Sequence, residues 1–322
     1  MHQFTHFLNH YSQSERLIRI ERYVKTIINR GGELPHYWSD QQRLEYCNRT
    51  LWHLPKLLSF YEPDHEYSEH INAFWHACEK VGLLECGHLS LMAGQIIHPT
   101  MNSVSSIVEI ESLIAEYAGS LGFRRQATDR RYQQQQKQQG LESYTRALMG
   151  RYSRSLVLRV DLGYYKTTRV DILTVYRHLD AMLGLVHRRG SVFESATGYV
   201  WCVEQGESRG YHIHFSIVLP GHLHQRDGYL ANVLGDIWEQ VTCGAGTYHS
   251  CNAEKRKFEL SGTLGIGMIH RDDARACENT VNAIGYLAKP DKEDQFLRMS
   301  PVGRRSFGRG MLQRDYLVPM VE

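Results

Sequence analysis

The sequence predicts an α+β protein, in which a helical N-terminal region is followed by a ferredoxin- or RRM-like antiparallel sheet with packed helices. Apolar residues recur at helical spacing through roughly the first 120 residues. From residue 151 onward, strand and helix patterns follow the order β-α-β-β-α-β-α, with a hairpin at the centre. A Gln-rich segment without apolar periodicity separates the two regions. We therefore expect a helical N-terminal domain over residues 1–123, a linker or helical connector over 124–150, and a second domain over 151–322.

Four helices are expected in the N-terminal region, and none of them carries a recognisable chemical motif. The predicted ranges are 14–29, 40–60, 67–84 and 103–121. Gly31-Gly32 ends the first helix, and Pro55 can kink the second. The sequence leaves the role of this region open.

A hairpin of two apolar strands forms the centre of the C-terminal region. Its strands cover residues 198–204 and 211–219, and the turn sequence QGESRG joins them. The other predicted elements are, in order, a strand over 155–162, a helix over 171–188, a helix over 227–241, a strand over 264–270 and a helix over 274–289. Asp171 can cap the first of these helices, and Pro290 ends the last one.

Charge and cysteine content restrict the class of protein. The 322 residues carry 37 Lys and Arg against 35 Asp and Glu. This balance hides two basic segments, residues 121–150 and 298–314, which either attract a phosphate backbone or form solvated loops. The sequence has no apolar stretch of membrane length and no secretory signal, and its seven cysteines lack paired spacing. These features favour a reducing cytoplasm and no membrane partner.

His212 and His214 are separated by one residue within a predicted strand. Because side chains alternate between the faces of a strand, both imidazoles project from the same face. The opposite face carries residues typical of a core, namely Ile213, Phe215, Ile217 and Leu219. Two imidazoles in this arrangement can chelate a divalent cation, although half-buried histidines without a metal are the commoner case.

A third ligand is expected on the neighbouring strand. If the hairpin pairs Glu204 with His212 and Cys202 with His214, the carboxylate shares the face of the imidazoles. A register shifted by one residue would turn Glu204 to the other face, and Glu207 in the turn would be the fallback. Two nitrogen ligands and one oxygen ligand leave open positions for a substrate oxygen, which suits Mg²⁺ or Mn²⁺.

Two other groups of residues are weaker candidates for a metal site. They are His222 with His224, and Cys243 with His249 and Cys251. The first pair follows a Pro-Gly turn, so its geometry is undefined. The second group has a spacing that matches no familiar structural zinc site.

Tyr286 lies in the last predicted helix, and Lys289 follows one turn later on the same side. Apolar residues occupy the opposite side of this helix, so Tyr286 is not placed as an ordinary core residue. Near a metal and a cation, a tyrosine hydroxyl can act as a nucleophile. An exposed Tyr beside a solvated Lys is the simpler interpretation. Gly285 lowers helix propensity, which suggests close backbone packing.

Arg159 and Asp161 share one face of the first C-terminal strand. Arg159 can bind a phosphate through two hydrogen bonds, and Asp161 can orient Arg159, a histidine or the metal. An Arg–Asp pair that only satisfies itself explains the pattern equally well.

In combination, these residues resemble the HUH endonucleases, which include rolling-circle replication initiators, relaxases and single-tyrosine transposases. More narrowly, the chain resembles the YagK/YfjJ C-terminal domain family of prophages, satellites and inovirus replication proteins. The runs that carry this resemblance are LVLRVDLGYY, GYHIHFSIVLPG, VNAIGYLAKPD and RRSFGRG. The resemblance covers about residues 151–315 and implies the HUH Rep fold for a catalytic domain over 151–322. The Y-x-x-K spacing departs from the commoner Y-x-x-x-K pattern.

The resemblance implies an enzyme that nicks and rejoins single-stranded DNA. Glu204, His212 and His214 would bind the divalent metal, and Tyr286, assisted by Lys289, would form a 5′-phosphotyrosine. The residues implied in DNA contact are Arg159, Asp161, Arg304, Arg305 and Arg309, with Tyr164, Tyr165 and Phe307 as candidates for base stacking.

The implied partners are an origin or hairpin of single-stranded DNA and a host replication helicase or polymerase, in the cytoplasm of a bacterial host cell. The alternative is a non-catalytic, regulatory nucleic-acid-binding module built on a ferredoxin-like sheet.

Overall fold

The structure is a computed structural model that describes residues 12–59, 61–85, 88–89, 102–288 and 295–312. The chain forms two compact units. The first comprises residues 1–131 and 297–304, and the second comprises residues 132–296 and 305–322. The predicted linker over 124–150 lies entirely within one helix, Leu121–Arg151. The division between the units falls inside that helix, after Arg131.

The first unit is mainly helical. Its helices are α1 (Gln13–Asn29), α2 (Asp40–Leu58), α3 (Glu69–Lys80) and α4 (Asn102–Gly119). The capping box of Ser12 and Glu15 starts α1, whose buried stripe includes Leu17, Ile20 and Val24. The four helices predicted here are therefore confirmed, with ends that differ by a few residues.

Short strands complete the first unit. They are β1 (His65–Tyr67), β2 (Leu84–Glu85), β3 (His88–Leu89) and β9 (Met299–Pro301). The first strand pairs in antiparallel fashion with β9, which comes from near the carboxyl end of the chain. Pairing at such a sequence separation has no local signal, and the sequence analysis missed it.

An antiparallel sheet forms the second unit. Its strands are β4 (Arg154–Tyr164), β5 (Gly198–Gly206), β6 (Gly210–Pro220), β7 (Gly246–Ser250), β8 (Gly267–His270) and β10 (Phe307–Arg309). The order is β10-β5-β6-β4-β7, and β8 pairs with the other end of β4. The helices are α5 (Leu121–Arg151), which the two units share, α6 (Ile172–His187), α7 (Asp227–Val241), α8 (Lys255–Leu260) and α9 (Ala274–Gly285). The prediction of an α+β protein with an antiparallel sheet is confirmed.

The two faces of this sheet differ in character. One face is mainly apolar, and its residues Ile213, Phe215 and Ile217 are fully buried as predicted. On that face, Tyr164 contacts His178 of α6 and Trp238 of α7. The opposite face is apolar only at one end, where side chains of α5 and α9 pack against Val157, Val200 and Val218. Beyond that cluster, the opposite face becomes polar, and the candidate site lies there.

None of the helices that the structure describes combines the length and the apolar character needed to cross a membrane.

Candidate functional site

The hairpin of β5 and β6 has the register on which the predicted metal site depends. Glu204 pairs with His212, and Cys202 pairs with His214. This pairing confirms the prediction and brings the carboxylate to the face that carries both imidazoles. The hairpin closes through a three-residue turn onto Gly210, whose φ of +64° favours glycine.

The three predicted metal ligands lie close together on the polar part of this sheet face. The Oε2 atom of Glu204 lies 3.0 Å from Nε2 of His214 and 3.5 Å from Nε2 of His212. All three side chains are buried, and the candidate ligand atoms lie within 4.8 Å of one another. This group could hold a metal ion. In the described part of the chain it is the only cluster of three such residues with this geometry.

The other nitrogen of each imidazole is also engaged. Nδ1 of His214 lies 2.5 Å from Oδ1 of Asp161, and Nδ1 of His212 lies 3.1 Å from the carbonyl oxygen of Gly210. Both acceptors favour a proton on Nδ1, so Nε2 is left to face Glu204 and a metal. Carboxylate and carbonyl groups behind metal-binding histidines usually serve this orienting role.

These contacts shift the pKa values of Asp161 and His214. Burial opposes ionisation of Asp161, but the hydrogen bond to His214 and the nearby arginines hold its pKa well below the usual range. Burial also opposes a charged His214, yet its hydrogen bonds to Asp161 and Glu204 raise the pKa of this imidazole. Asp161 therefore remains an ionised acceptor over the ordinary pH range.

Asp161 contacts two arginines as well as His214. Nη1 of Arg209 lies 3.2 Å from Oδ2 of Asp161, and Nε of Arg159 lies 3.7 Å from Oδ1. Three roles were predicted for Asp161: to orient Arg159, a histidine or the metal. The structure shows close contact with a histidine, His214, and a longer ion pair with Arg159. The sequence analysis missed Arg209, whose position in the turn after Glu204 was the available signal.

Tyr286 lies at the end of α9 and is 46% exposed. The predicted helix over 274–289 was too long, because the α-helix ends at Gly285 and Tyr286 begins a 3₁₀ turn. Its apolar side is confirmed, since Val281 and Ile284 are buried. Nη1 of Arg159 donates to the carbonyl oxygen of Ala283 at 3.4 Å, which ties the end of α9 to the residues around Asp161. Lys289 lies outside the described residues.

Close packing explains Gly285. A Cβ atom at this position would lie 3.2 Å from Cγ of Glu142 in α5. The sequence suggested close backbone packing, whereas the structure shows a close approach to the side chain of Glu142.

The predicted basic residues near the carboxyl end do not share one unit. Arg304 belongs to the first unit, whereas Arg305 and Arg309 belong to the second. Arg309 is exposed on β10, and its guanidinium lies 4.7 Å from the centre of the Tyr144 ring. These positions do not test the prediction of one arginine cluster, which stays a prediction.

The aromatic residues proposed for base stacking also differ in exposure. Tyr164 is buried against His178 and Trp238, so packing explains it and the stacking prediction is withdrawn. Tyr165 is 49% exposed. Phe307 is partly buried and packs against the apolar cluster beside the site.

The alternative metal groups have other contacts. His222 lies against the ring of Tyr152, and Nε2 of His224 lies 2.5 Å from Oγ of Ser195. Burial raises the pKa of Cys251 to about 11, and the group of Cys243, His249 and Cys251 is not among the described clusters whose ligand atoms could meet at one metal. The fallback residue Glu207 is exposed in the turn and outside the ligand group.

No family model, no curated protein and no solved structure matches this chain.

Proposed function

We propose that the chain is a single-tyrosine HUH endonuclease that nicks and rejoins single-stranded DNA. One observation carries this proposal. A chain of contacts runs from Glu204 and the two histidines through Asp161 and Arg159 to the carbonyl of Ala283, one helical turn before Tyr286. It connects a candidate metal centre with a half-exposed phenol near the end of the same helix, which is the combination a nicking enzyme requires.

The donor set suits a divalent metal that binds phosphate. Glu204 offers a carboxylate oxygen, and each histidine offers Nε2, while the Nδ1 atoms are held by other acceptors. Three protein ligands leave positions open, as in catalytic rather than structural sites. When bound, Mg²⁺ or Mn²⁺ would supply Lewis-acid polarisation of a non-bridging phosphate oxygen.

In the proposed reaction, the hydroxyl oxygen of Tyr286 attacks the scissile phosphorus in line. A bond forms between that oxygen and phosphorus, and the bond from phosphorus to the 3′ oxygen breaks. The phenolic proton goes to solvent, and the departing 3′ oxygen takes up a proton. The product is a 5′-phosphotyrosine with a free 3′-hydroxyl, which can prime synthesis. Attack by a 3′-hydroxyl reverses the step without an external energy source.

The cationic residues would bind the strand and offset its charge. Arg159 lies between the end of α9 and Asp161, where it can contact the phosphate that Tyr286 attacks. Arg305 and Arg309 are exposed and can contact phosphates further along the strand. We further propose that the reaction starts rolling-circle-type replication of a phage, prophage or satellite in a bacterial cytoplasm, with a host helicase or polymerase extending the new end.

Trapping of the covalent adduct tests the proposed function. A pool of 3′-labelled single-stranded oligonucleotides incubated with the protein and Mn²⁺ should give a labelled, SDS-resistant protein band. Tyr286→Phe should abolish that band, and EDTA should do the same. Tyr165→Phe is the matched control, because Tyr165 has nearly the same exposure and should leave the band intact.

Two outcomes would contradict the proposed function. A covalent band that survives Tyr286→Phe would assign the nucleophile to another residue. Salt-dependent binding of the pool without any adduct, and without sensitivity to metal, would favour a non-catalytic regulatory nucleic-acid-binding module.

A further inference from the structure

Arg209 lies in the turn of the β5–β6 hairpin, and its side chain reaches back over the sheet to Asp161. Its Nη1 atom donates to Oδ2 of Asp161 at 3.2 Å, although 58% of the Arg209 side chain is exposed. The next residue, Gly210, supplies the carbonyl that accepts from His212. Arg209 therefore places a half-exposed cationic group on Asp161, the residue that contacts His214.

Arg159, on the other side of Asp161, has donors that the described residues do not use. Its side chain is 16% exposed, and its Nε atom is buried without a hydrogen-bond partner among those residues. The hydrogen bond from its Nη1 atom to the carbonyl oxygen of Ala283 is long at 3.4 Å. The strand partner of Arg159 is Ser216, and the buried hydroxyl of Ser216 likewise has no partner in the described part of the chain.

A buried guanidinium with unused donors is costly unless an anion completes its bonding. Asp161 does not supply that bonding in this geometry, because its nearest oxygen lies 3.7 Å from Nε of Arg159, too far for a hydrogen bond. An anion placed between the two arginines would satisfy both guanidinium groups. A phosphodiester has two free oxygens that share one negative charge, and these oxygens accept hydrogen bonds from arginine donors.

We propose that Arg159 and Arg209 together bind one phosphate of the single strand next to the metal centre, and that Arg209 exchanges Asp161 for that phosphate. This inference rests on the proposed function, since it identifies how the same site holds its DNA. The exchange moves only the Arg209 side chain, which is 58% exposed, while Asp161 stays in place. After the exchange, Asp161 keeps its contacts with His214 and Arg159, so the orientation of the imidazole is retained.

Binding of fluorescein-labelled oligothymidine in EDTA, followed by anisotropy from about 50 to 300 mM salt, tests the exchange without the metal. Arg209→Gln should weaken binding about five- to tenfold at the lowest salt. It should also reduce the slope of log affinity against log salt by about 0.7, the loss of one phosphate contact. Arg271→Gln is the matched control, because Arg271 is also half-exposed and paired with an aspartate. It should leave affinity and slope unchanged.

A second measurement excludes damage to the site. Mn²⁺ affinity from calorimetric titration should not fall in Arg209→Gln, because Asp161 keeps its contact with His214. Wild-type affinity and slope in Arg209→Gln would overturn the inference, and so would equal losses in Arg271→Gln.

If the unmodified protein forms the Tyr286 adduct while Arg209→Gln binds normally, only this inference fails. If Arg209→Gln loses one phosphate contact while no adduct forms, the phosphate site stands and the nicking function fails.

Discussion

Asp161 determines which nitrogen of His214 faces the candidate metal centre. Its Oδ1 atom lies 2.5 Å from Nδ1 of the imidazole, so the opposite nitrogen points at Glu204. Since its pKa is held low, Asp161 acts as a charged acceptor. A charged acceptor also makes the imidazole a better electron-pair donor to a metal.

The first prediction concerns this orienting contact. Asp161→Asn should lower Mn²⁺ affinity about 10- to 100-fold, because a neutral amide neither fixes the tautomer nor raises the basicity of His214. Isothermal titration calorimetry at pH 7 measures the change. Asp272→Asn, at an exposed aspartate outside the site, should bind Mn²⁺ normally. An unchanged affinity in Asp161→Asn, with the fold intact by circular dichroism, would exclude the orienting role.

The sequence was sufficient to predict the ligands but not their surroundings. Alternation along β6 and one assumed hairpin register were enough to bring Glu204 to the histidines, because both strands are adjacent in the chain. The contact of Asp161 with His214 depends instead on β4 pairing with β6 across about 50 residues. That pairing leaves no local pattern, so several roles remained open for Asp161 and Arg209 was overlooked.

At the scale of elements, β4 is bordered on one side by two different strands. Residues 160–164 pair with β7, and residues 154–157 pair with β8. In the gap, the side chain of Asn252 accepts from the backbone N–H of Arg159 at 2.9 Å and donates to the carbonyl of Val157 at 3.0 Å. One buried amide thus replaces a missing stretch of strand and fixes the backbone of Arg159.

Asp227 supports this arrangement from the start of α7. It accepts from Asn252 at 3.1 Å and pairs with Lys255 at 2.8 Å. Burial raises the pKa of Asp227, but the bonds from Lys255 and Asn252 outweigh it and leave the pKa lowered. A lowered folded-state pKa means that the stabilisation is present above the unfolded value of about 4 and is lost as pH falls through the folded value.

The second prediction follows from the lowered pKa of Asp227. Asp227→Asn should be less stable than the unmodified protein by on the order of 1 kcal/mol at pH 6, and the difference should shrink toward pH 3. Urea unfolding at the two pH values measures both free energies. Asp272→Asn, at a fully exposed aspartate, should show no such pH-dependent difference. A deficit in Asp227→Asn that grows as the pH falls would contradict the assigned direction of the shift.

The elements missed by the sequence analysis were the short ones. The strand β7 consists of five residues, GTYHS, and β10 of three, so neither contains a readable alternation. Their pairing is fixed by β4 and β5 rather than by their own composition. The apolar strands and the long helices other than α5 were predicted because their periodicity extends over a full strand or over two or more turns.

On the scale of the whole molecule, the path of the chain differs from the division expected from composition. Residues 297–304 return to the first unit, and the chain rejoins the second unit at Arg305. The basic segment 298–314 is thus shared between the units, although it is continuous in sequence. The sequence becomes Gln-rich and loses its apolar periodicity near residue 124, which composition detects. Which unit each segment joins is determined instead by non-local pairing, such as that of β1 with β9.

Arg298 anchors the returning segment. Its Nε atom donates to Glu21 of α1, and both side chains are only 3% exposed. The backbone carbonyl of Arg298 also accepts from the N–H of Ser68, next to β1. Lys25 is a second partner of Glu21 at 3.0 Å, but 38% of its side chain is exposed. The buried pair is therefore the main charge compensation for Glu21.

The third prediction tests this anchor. Arg298→Met should destabilise the first unit by about 3 kcal/mol, because it leaves the Glu21 carboxylate buried with one exposed partner. Hydrogen exchange at the amides of Val24 and Phe74, in the cores of α1 and α3, should accelerate accordingly. Adding Glu21→Gln should recover much of the lost stability, since removing both charges costs less than leaving one buried without its partner. A double variant no more stable than Arg298→Met would mean that the segment is held by its strand pairing and not by the ion pair.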